Sequence, residues 1–217
     1  MLSLNLSGGT DGSINILCLG AHSDDIEIGC GGTILKLLRD HSNVQVHWVV
    51  FSGEGERADE ALGSANDLLA YTLEKRIVVR DYKTSYFPYC GNDIKDCFEE
   101  IKKEFTPDII FTHFRHDLHQ DHRIINELTW NTFRNHFILE YEIFKYDGDI
   151  GQPNFFVHLD EELCRKKVAI IMKNFKSQSH RSWFTEDAFY SLLRLRGIES
   201  NSPGRYSEAY YCRKAVL

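Results

Sequence analysis

Two short segments of this chain collect side chains suited to metal-assisted hydrolysis. Residues 21–27 read A-H-S-D-D-I-E, and residues 113–123 read H-F-R-H-D-L-H-Q-D-H-R. In the first, His22 and Asp25 are three apart, so one turn can point both at a single cation, while Asp24 between them faces elsewhere and is free to act as a base. In the second, histidines recur at 113, 116, 119 and 122 with Asp117 and Asp121 between them. Zinc favours imidazole and carboxylate ligands, and a catalytic site keeps one position open for water. His22, Asp25 and one histidine of the second segment would make such a set of three. Taken alone, the first segment reads equally well as a solvated acidic turn capping the next helix. His113 and His116, taken singly, read as ordinary hydrogen-bonded surface residues. The two clusters together are what point to chemistry.

The flanking pattern supplies a scaffold able to bring them together. Residues 14–20 (I-N-I-L-C-L-G) form a short apolar run ending at a glycine, as expected of a strand buried on both faces. Ile34, Leu35, Leu37 and Leu38 then give a helical stripe. Gly29, Gly31 and Gly32 precede it without the spacing of a dinucleotide fingerprint. Residues 44–51 predict a second strand, followed by a helix reaching about Tyr71. Residues 76–79 predict a third strand, 93–105 a helix, and 107–113 a fourth strand running into the histidine-rich loop. The last third is less regular. Strands are expected over 137–144, 154–158 and 206–213, with a helix over 161–175. Alternating strands and helices indicate one α/β domain over 1–217, a Rossmann-like three-layer fold with a mostly parallel sheet. Ligands of such sheets bind beyond the carboxyl ends of the strands, where both His/Asp segments fall.

The two segments resemble signatures of the LmbE-like, or PIG-L-type, N-deacetylases: A-H-P-D-D-x-E after the first strand and H-x-D-H at a helix start. Here they stand as His22-Ser23-Asp24-Asp25, with serine at the usual proline, and His119-Gln120-Asp121-His122. Arg57 and Glu60 in S-G-E-G-E-R-A-D-E-A, the K-S-Q at 176–178 and the Y-S-E-A-Y at 206–210 extend the similarity over most of the chain. The resemblance implies a Zn2+ ion on His22, Asp25 and His122. It implies Asp24 as general base toward a water attacking an amide carbonyl, and His119 as oxyanion and proton partner. Asp121 would orient His119 and favour its charged form, and Arg57 would contact substrate. The implied substrate is an N-acyl, foremost N-acetyl, amino sugar, free or linked to a nucleotide or lipid, and relatives of this kind assemble as trimers or hexamers.

Composition fits a soluble globular chain: of 217 residues, 42% are apolar and 26% charged. A net charge of -7 argues against a general nucleic-acid surface. Arg181, Arg194, Arg196 and Arg205 could still hold a phosphate, and Trp183, Phe184, Phe189 and Tyr190 could stack on a sugar or simply build core. The six cysteines contain no C-x-x-C pair and read as reduced thiols. The polar segment before Ile14 lacks a leader pattern, and no run is long enough to span a bilayer, so a cytoplasmic site is expected. The other readings the residues leave open are hydrolysis of a phosphoester or N-glycoside, and an α/β protein that binds metal without turnover.

Overall fold

The structure, a computed structural model, describes residues 12–72 and 74–216. The polar segment in which no leader was read lies mostly outside the described residues, as does the final residue of the expected domain. The elements are β1 (Ile14–His22), α1 (Asp25–Asp40), β2 (Val44–Ser52), α2 (Glu56–Leu68), β3 (Glu74–Val79) and α3 (Gly91–Glu104). There follow β4 (Ile109–His113), α4 (Gln120–Thr132), β5 (Phe137–Tyr141), β6 (Phe155–Leu159), α5 (Glu161–Asn174), α6 (Glu186–Glu199) and β7 (Tyr206–Cys212). The strands make one seven-stranded sheet in the order β3-β2-β1-β4-β5-β7-β6. The first five run parallel, and β7 pairs antiparallel with both β5 and β6. The expected α/β class and mostly parallel sheet are therefore observed.

Alternation along the strands explains the three layers. In β1, Ile16 and Cys18 point into a core shared with α1, α2 and α5, while Leu17 and Leu19 enter a second core built with α3 and α4. Both faces are covered, so the strands read as unbroken apolar runs rather than alternating ones. Helix α1 begins at Asp25, well ahead of the apolar stripe that announced it, and carries the three glycines inside it. A Cβ on Gly29 would sit 2.2 Å from the Tyr141 ring, and one on Gly32 would sit 2.5 Å from Leu159 Cδ1. These glycines let α1 lie close against the sheet. That contact offsets a helix-propensity cost of about 1 kcal/mol each relative to alanine.

Two departures from the sequence reading concern the last third. Strand β5 stops at Tyr141, and residues 142–150 leave the sheet as a loop. Helix α6 lies where the sequence predicts no element. Its buried face mixes Phe189 and Leu193 with Arg196 and Gly197, which masks the apolar period. Phe184 and Phe189 are core residues with Trp183 and Tyr190 packed against them, so this aromatic group builds core rather than a sugar platform.

Strand order reverses between β1 and β4, which leave the sheet side by side with their successors on opposite flanks. Their carboxyl ends, at His22 and His113, carry the two His/Asp segments to the switch point where open α/β sheets bind ligands.

Candidate active site

Strand β1 delivers His22 as its last residue, and the turn into α1 places Asp24 and Asp25 at the helix start. The opposing loop after β4 ends at His119, the N-cap of α4, which puts Asp121 and His122 in that helix's first turn. Three ligand-type atoms converge there. His22 Nδ1 lies 3.1 Å from His122 Nε2 and 3.3 Å from Asp25 Oδ2, and His122 Nε2 lies 3.5 Å from Asp25 Oδ2. A tetrahedral ion with ligands at about 2.0–2.1 Å demands edges of about 3.3–3.4 Å. The triangle fits one face of such a tetrahedron.

Each imidazole has its other nitrogen on a buried carboxylate. His22 Nε2 is 3.1 Å from Asp121 Oδ2, and His122 Nδ1 is 2.9 Å from Asp117 Oδ2. Such partners fix the tautomer that leaves the facing nitrogen with a free lone pair. His113 could complete a set with Asp25 and His122, and His119 one with His22 and His122. However, His113 Nε2 already accepts the Ala21 N–H at 2.9 Å, and His119 Nδ1 accepts the Asp121 N–H at 3.2 Å. His113, read from sequence as a surface residue, is fully buried and stacks on His122 with ring centres 3.9 Å apart. It is a packing wall behind the ligand set.

A sequence model of the PIG-L family, GlcNAc-PI de-N-acetylase, matches residues 17–133, more than half of the chain. The chain belongs to the PIG-L family. Both His/Asp segments lie within the matched span. No curated protein sequence matches it significantly. Among solved structures, it is similar to N,N'-diacetylchitobiose deacetylase from Pyrococcus horikoshii, at 23% identity over 91% of this chain and 83% of that one, TM-score 0.70. It is also similar to the 4-carboxy-2-hydroxymuconate hydratase GalB from Pseudomonas putida KT2440, at 15% identity over 94% and 98% of the two chains, TM-score 0.76. The zinc-inhibited form of teicoplanin deacetylase Orf2 matches at 14% identity over 91% and 97%, TM-score 0.68. At these identities the likeness is one of fold. Deacetylases and a hydratase share it, so the chemistry of this PIG-L chain must be argued from its own side chains.

Electrostatics in this PIG-L site divide the residues by role. Burial works against the charged form of His22, but Asp25 and Asp121 outweigh it and hold the imidazole up to about 10. These carboxylates favour the charged imidazole, as they would favour a cation. Burial, with His113 beside it, pushes His122 down to about 3, leaving it neutral. Asp25 stays well below the ordinary carboxylate range because His122, His113 and His22 overcome its burial. Asp24 behaves differently: burial raises its pKa, and Arg57 only partly offsets that. Arg57 Nη2 donates to Asp24 Oδ1 at 2.9 Å, and its Nη1 reaches Glu60 and Ser177. The arginine expected to meet substrate is thus first a partner of the neighbouring acid.

The assignment of Asp121 to His119 is not what the structure places together. The Asp121 carboxylate takes His22 Nε2 and the N–H groups of Ser85 and Phe87, at 2.6 and 3.2 Å respectively. Its backbone N–H, not its carboxylate, meets His119. Nor is His119 held charged. Burial first, and then His22, lower its pKa, and its Nδ1 acceptor role leaves the remaining proton on Nε2.

Asp117 lies between the histidines of the second segment without a role implied by either motif. Besides His122 it binds Lys145 Nζ at 3.0 Å, and Lys145 in turn binds Asp149 at 2.5 Å. Its spacing five residues before His122 carries no helical signal, because the two lie on either side of the α4 N-cap. Only the fold brings Lys145 to it.

Proposed function

We propose that this chain is a divalent-metal, foremost zinc, amide hydrolase that removes a short acyl group, acetyl first, from an amino sugar or its conjugate. The observation that carries the reading is the His22–Asp25–His122 triangle, with edges of 3.1–3.5 Å, beside a buried acid that belongs to none of them. Family membership supports de-N-acetylation as the bond broken.

His22 Nδ1, Asp25 Oδ2 and His122 Nε2 would hold the ion. A divalent ion in such a site polarises a carbonyl and lowers the pKa of water to about 7. The chain's own residues then divide the remaining work. Asp24, whose pKa is raised by burial, takes the proton of the attacking water and is aimed by Arg57. His119 Nε2–H donates to the oxyanion as it forms, needing no charge of its own to do so. The amine leaves protonated, by return of the proton that Asp24 accepted. Asp121 and Asp117 hold the two ligand imidazoles in register. No helix among the described residues is long and apolar enough to cross a membrane, in keeping with a small amino-sugar substrate met in water. Nucleic acid has no part in this reading.

The test is release of acetate and free amine from a panel of N-acetyl amino sugars and their nucleotide conjugates, with and without added zinc. Asp24→Asn should lower turnover by about 10²–10⁴-fold while metal content stays stoichiometric. His122→Ala should lose both metal and turnover. An Asp24→Asn enzyme that keeps most of its activity would remove the base from this mechanism. A wild-type protein that binds zinc and releases amine from no N-acyl sugar would remove the function.

A further inference from the structure

Along α4 lies a cleft of about 620 Å³ whose lining includes Arg115, Gln120, Arg123, Asn126, Trp130 and Arg213 and none of the three ligand-type residues. Its volume falls in the range of about 300–1,000 Å³ typical of small-molecule sites. Its chemistry is unlike the rest of the chain. The whole protein carries a net charge of -7, yet three guanidinium groups border this cleft against a single lining acid, Glu127.

The guanidinium groups of Arg213 and Arg123 are held, and Arg115 is tied at its backbone. Glu140, fully buried beneath the cleft, accepts from Arg213 Nε at 2.5 Å, from Trp130 Nε1 at 2.7 Å and from the Arg115 N–H at 3.1 Å. Arg213 lies on the Trp130 face, 3.8 Å from the ring centre, and its Nη2 reaches Asn126 Oδ1 at 3.1 Å. Among the described residues its Nη1 has no partner. Arg123 Nη1 donates to the carbonyl oxygens of Leu118 and Asp117, which orients it without neutralising it. No carboxylate among the described residues lies within ion-pair distance of Arg115 or Arg123. Burial first, and Arg115 besides, lower the pKa of Arg213 against the pull of Glu140, as like charges held close would do. With Glu140 matched to Arg213, Arg115 and Arg123 stand against Glu127. Arg213 Nη1 remains as a further fixed donor.

We infer that this cleft binds the phosphoryl group of a phosphorylated small molecule through Arg115, Arg123 and Arg213 Nη1. A phosphoryl group brings about -1.5 to -2 charge at neutral pH and several acceptor oxygens. Planar guanidinium donors match those oxygens better than ammonium groups would. A carboxylate would match that net charge but brings two acceptor oxygens, where a phosphoryl group brings three, one for each guanidinium. None of the arginines singled out from sequence lines this cleft. Arg196 is buried in a two-pronged pair with Glu142, and Arg194 donates to the Arg205 carbonyl.

The inference does not depend on the proposed deacetylation. It is tested by calorimetric titration of the full chain with inorganic pyrophosphate at low ionic strength, after chelation of metal. Wild type should bind saturably. Arg115→Gln should weaken binding about tenfold, and Arg115→Gln/Arg123→Gln by about a hundredfold. Both residues are exposed, so melting temperature should barely move. Binding should persist in His122→Ala, which reports the metal site instead. Absence of saturable binding by wild type would overturn the inference. So would equal affinity in the double variant, or binding abolished by His122→Ala and kept by the arginine variants.

Discussion

Two of the buried acidic clusters along α1 are built on opposite principles. Near the middle of the helix, Lys167 Nζ donates to Glu208 Oε1 and to the Ile28 carbonyl, each at 2.6 Å. Glu208 also accepts the N–H groups of Gly32 and Thr33, and the Tyr210 hydroxyl at 2.9 Å. Charge is balanced inside the cluster, and the carboxylate is fully engaged. At the helix start, Asp24, Asp25, Asp117 and Asp121 are all buried, while the cations near them are Arg57, Lys145 and a His22 made basic by Asp25 and Asp121. There the imidazole nitrogens face one another and the Asp25 oxygen across 3.1–3.5 Å. A closed pair is a staple. Converging atoms that still want a positive charge are a binding site.

The largest expected effect comes from breaking the staple. Lys167→Met would leave Glu208 buried without its cation and should cost about 3–5 kcal/mol of stability. Denaturant unfolding of metal-free protein checks this, and zinc affinity per folded molecule should stay as it was. A variant that lost zinc affinity in step with stability would erase the distinction between the two clusters.

A smaller effect is expected one step out from the ligands. Asp121→Asn keeps the shape but weakens the hold on His22 Nε2, and zinc affinity should fall about 10–100-fold. Competition against a chromogenic chelator measures it. If affinity were unchanged while only turnover fell, Asp121 would belong with His119 after all, as the sequence motif implies.

The gentlest probe is pH, applied to chelated protein. His22 is raised to about 10 in the folded chain, above its ordinary value near 6.5, so its contribution is complete below about pH 6.5 and drains away as pH climbs through 10. His47, far from the site against Phe105, has the opposite sign. Burial lowers it to about 4, so stability is lost as pH falls from about 6.5 toward 4. Melting temperatures should therefore sag on both sides. His22→Asn should flatten the alkaline limb alone, and bound zinc should do the same. An alkaline limb untouched by His22→Asn would mean that His22 is not held charged.

The parallel half of the sheet was legible because β1, β2 and β4 are buried on both faces and announce themselves as apolar runs ending in glycine, serine or histidine. Helix α6 was not, since Arg196 on its buried face breaks the pattern that periodicity detects. His113 was misjudged for a related reason: an imidazole looks the same in sequence whether it faces water or lies under His122.

From its own letters the chain determined that ligand-type residues stand at the ends of β1 and β4, and that strand–helix alternation brings those ends to one rim. Residue type and period are local properties, readable without coordinates. Which carboxylate holds which imidazole was decided only by tertiary structure. Asp121 serves His22 across 99 positions of chain, Lys145 reaches Asp117 from a loop past β5, and Arg57 reaches Asp24 from α2. Hydrogen bonds act over about 3 Å and depend on direction, and no spacing in the sequence encodes a direction.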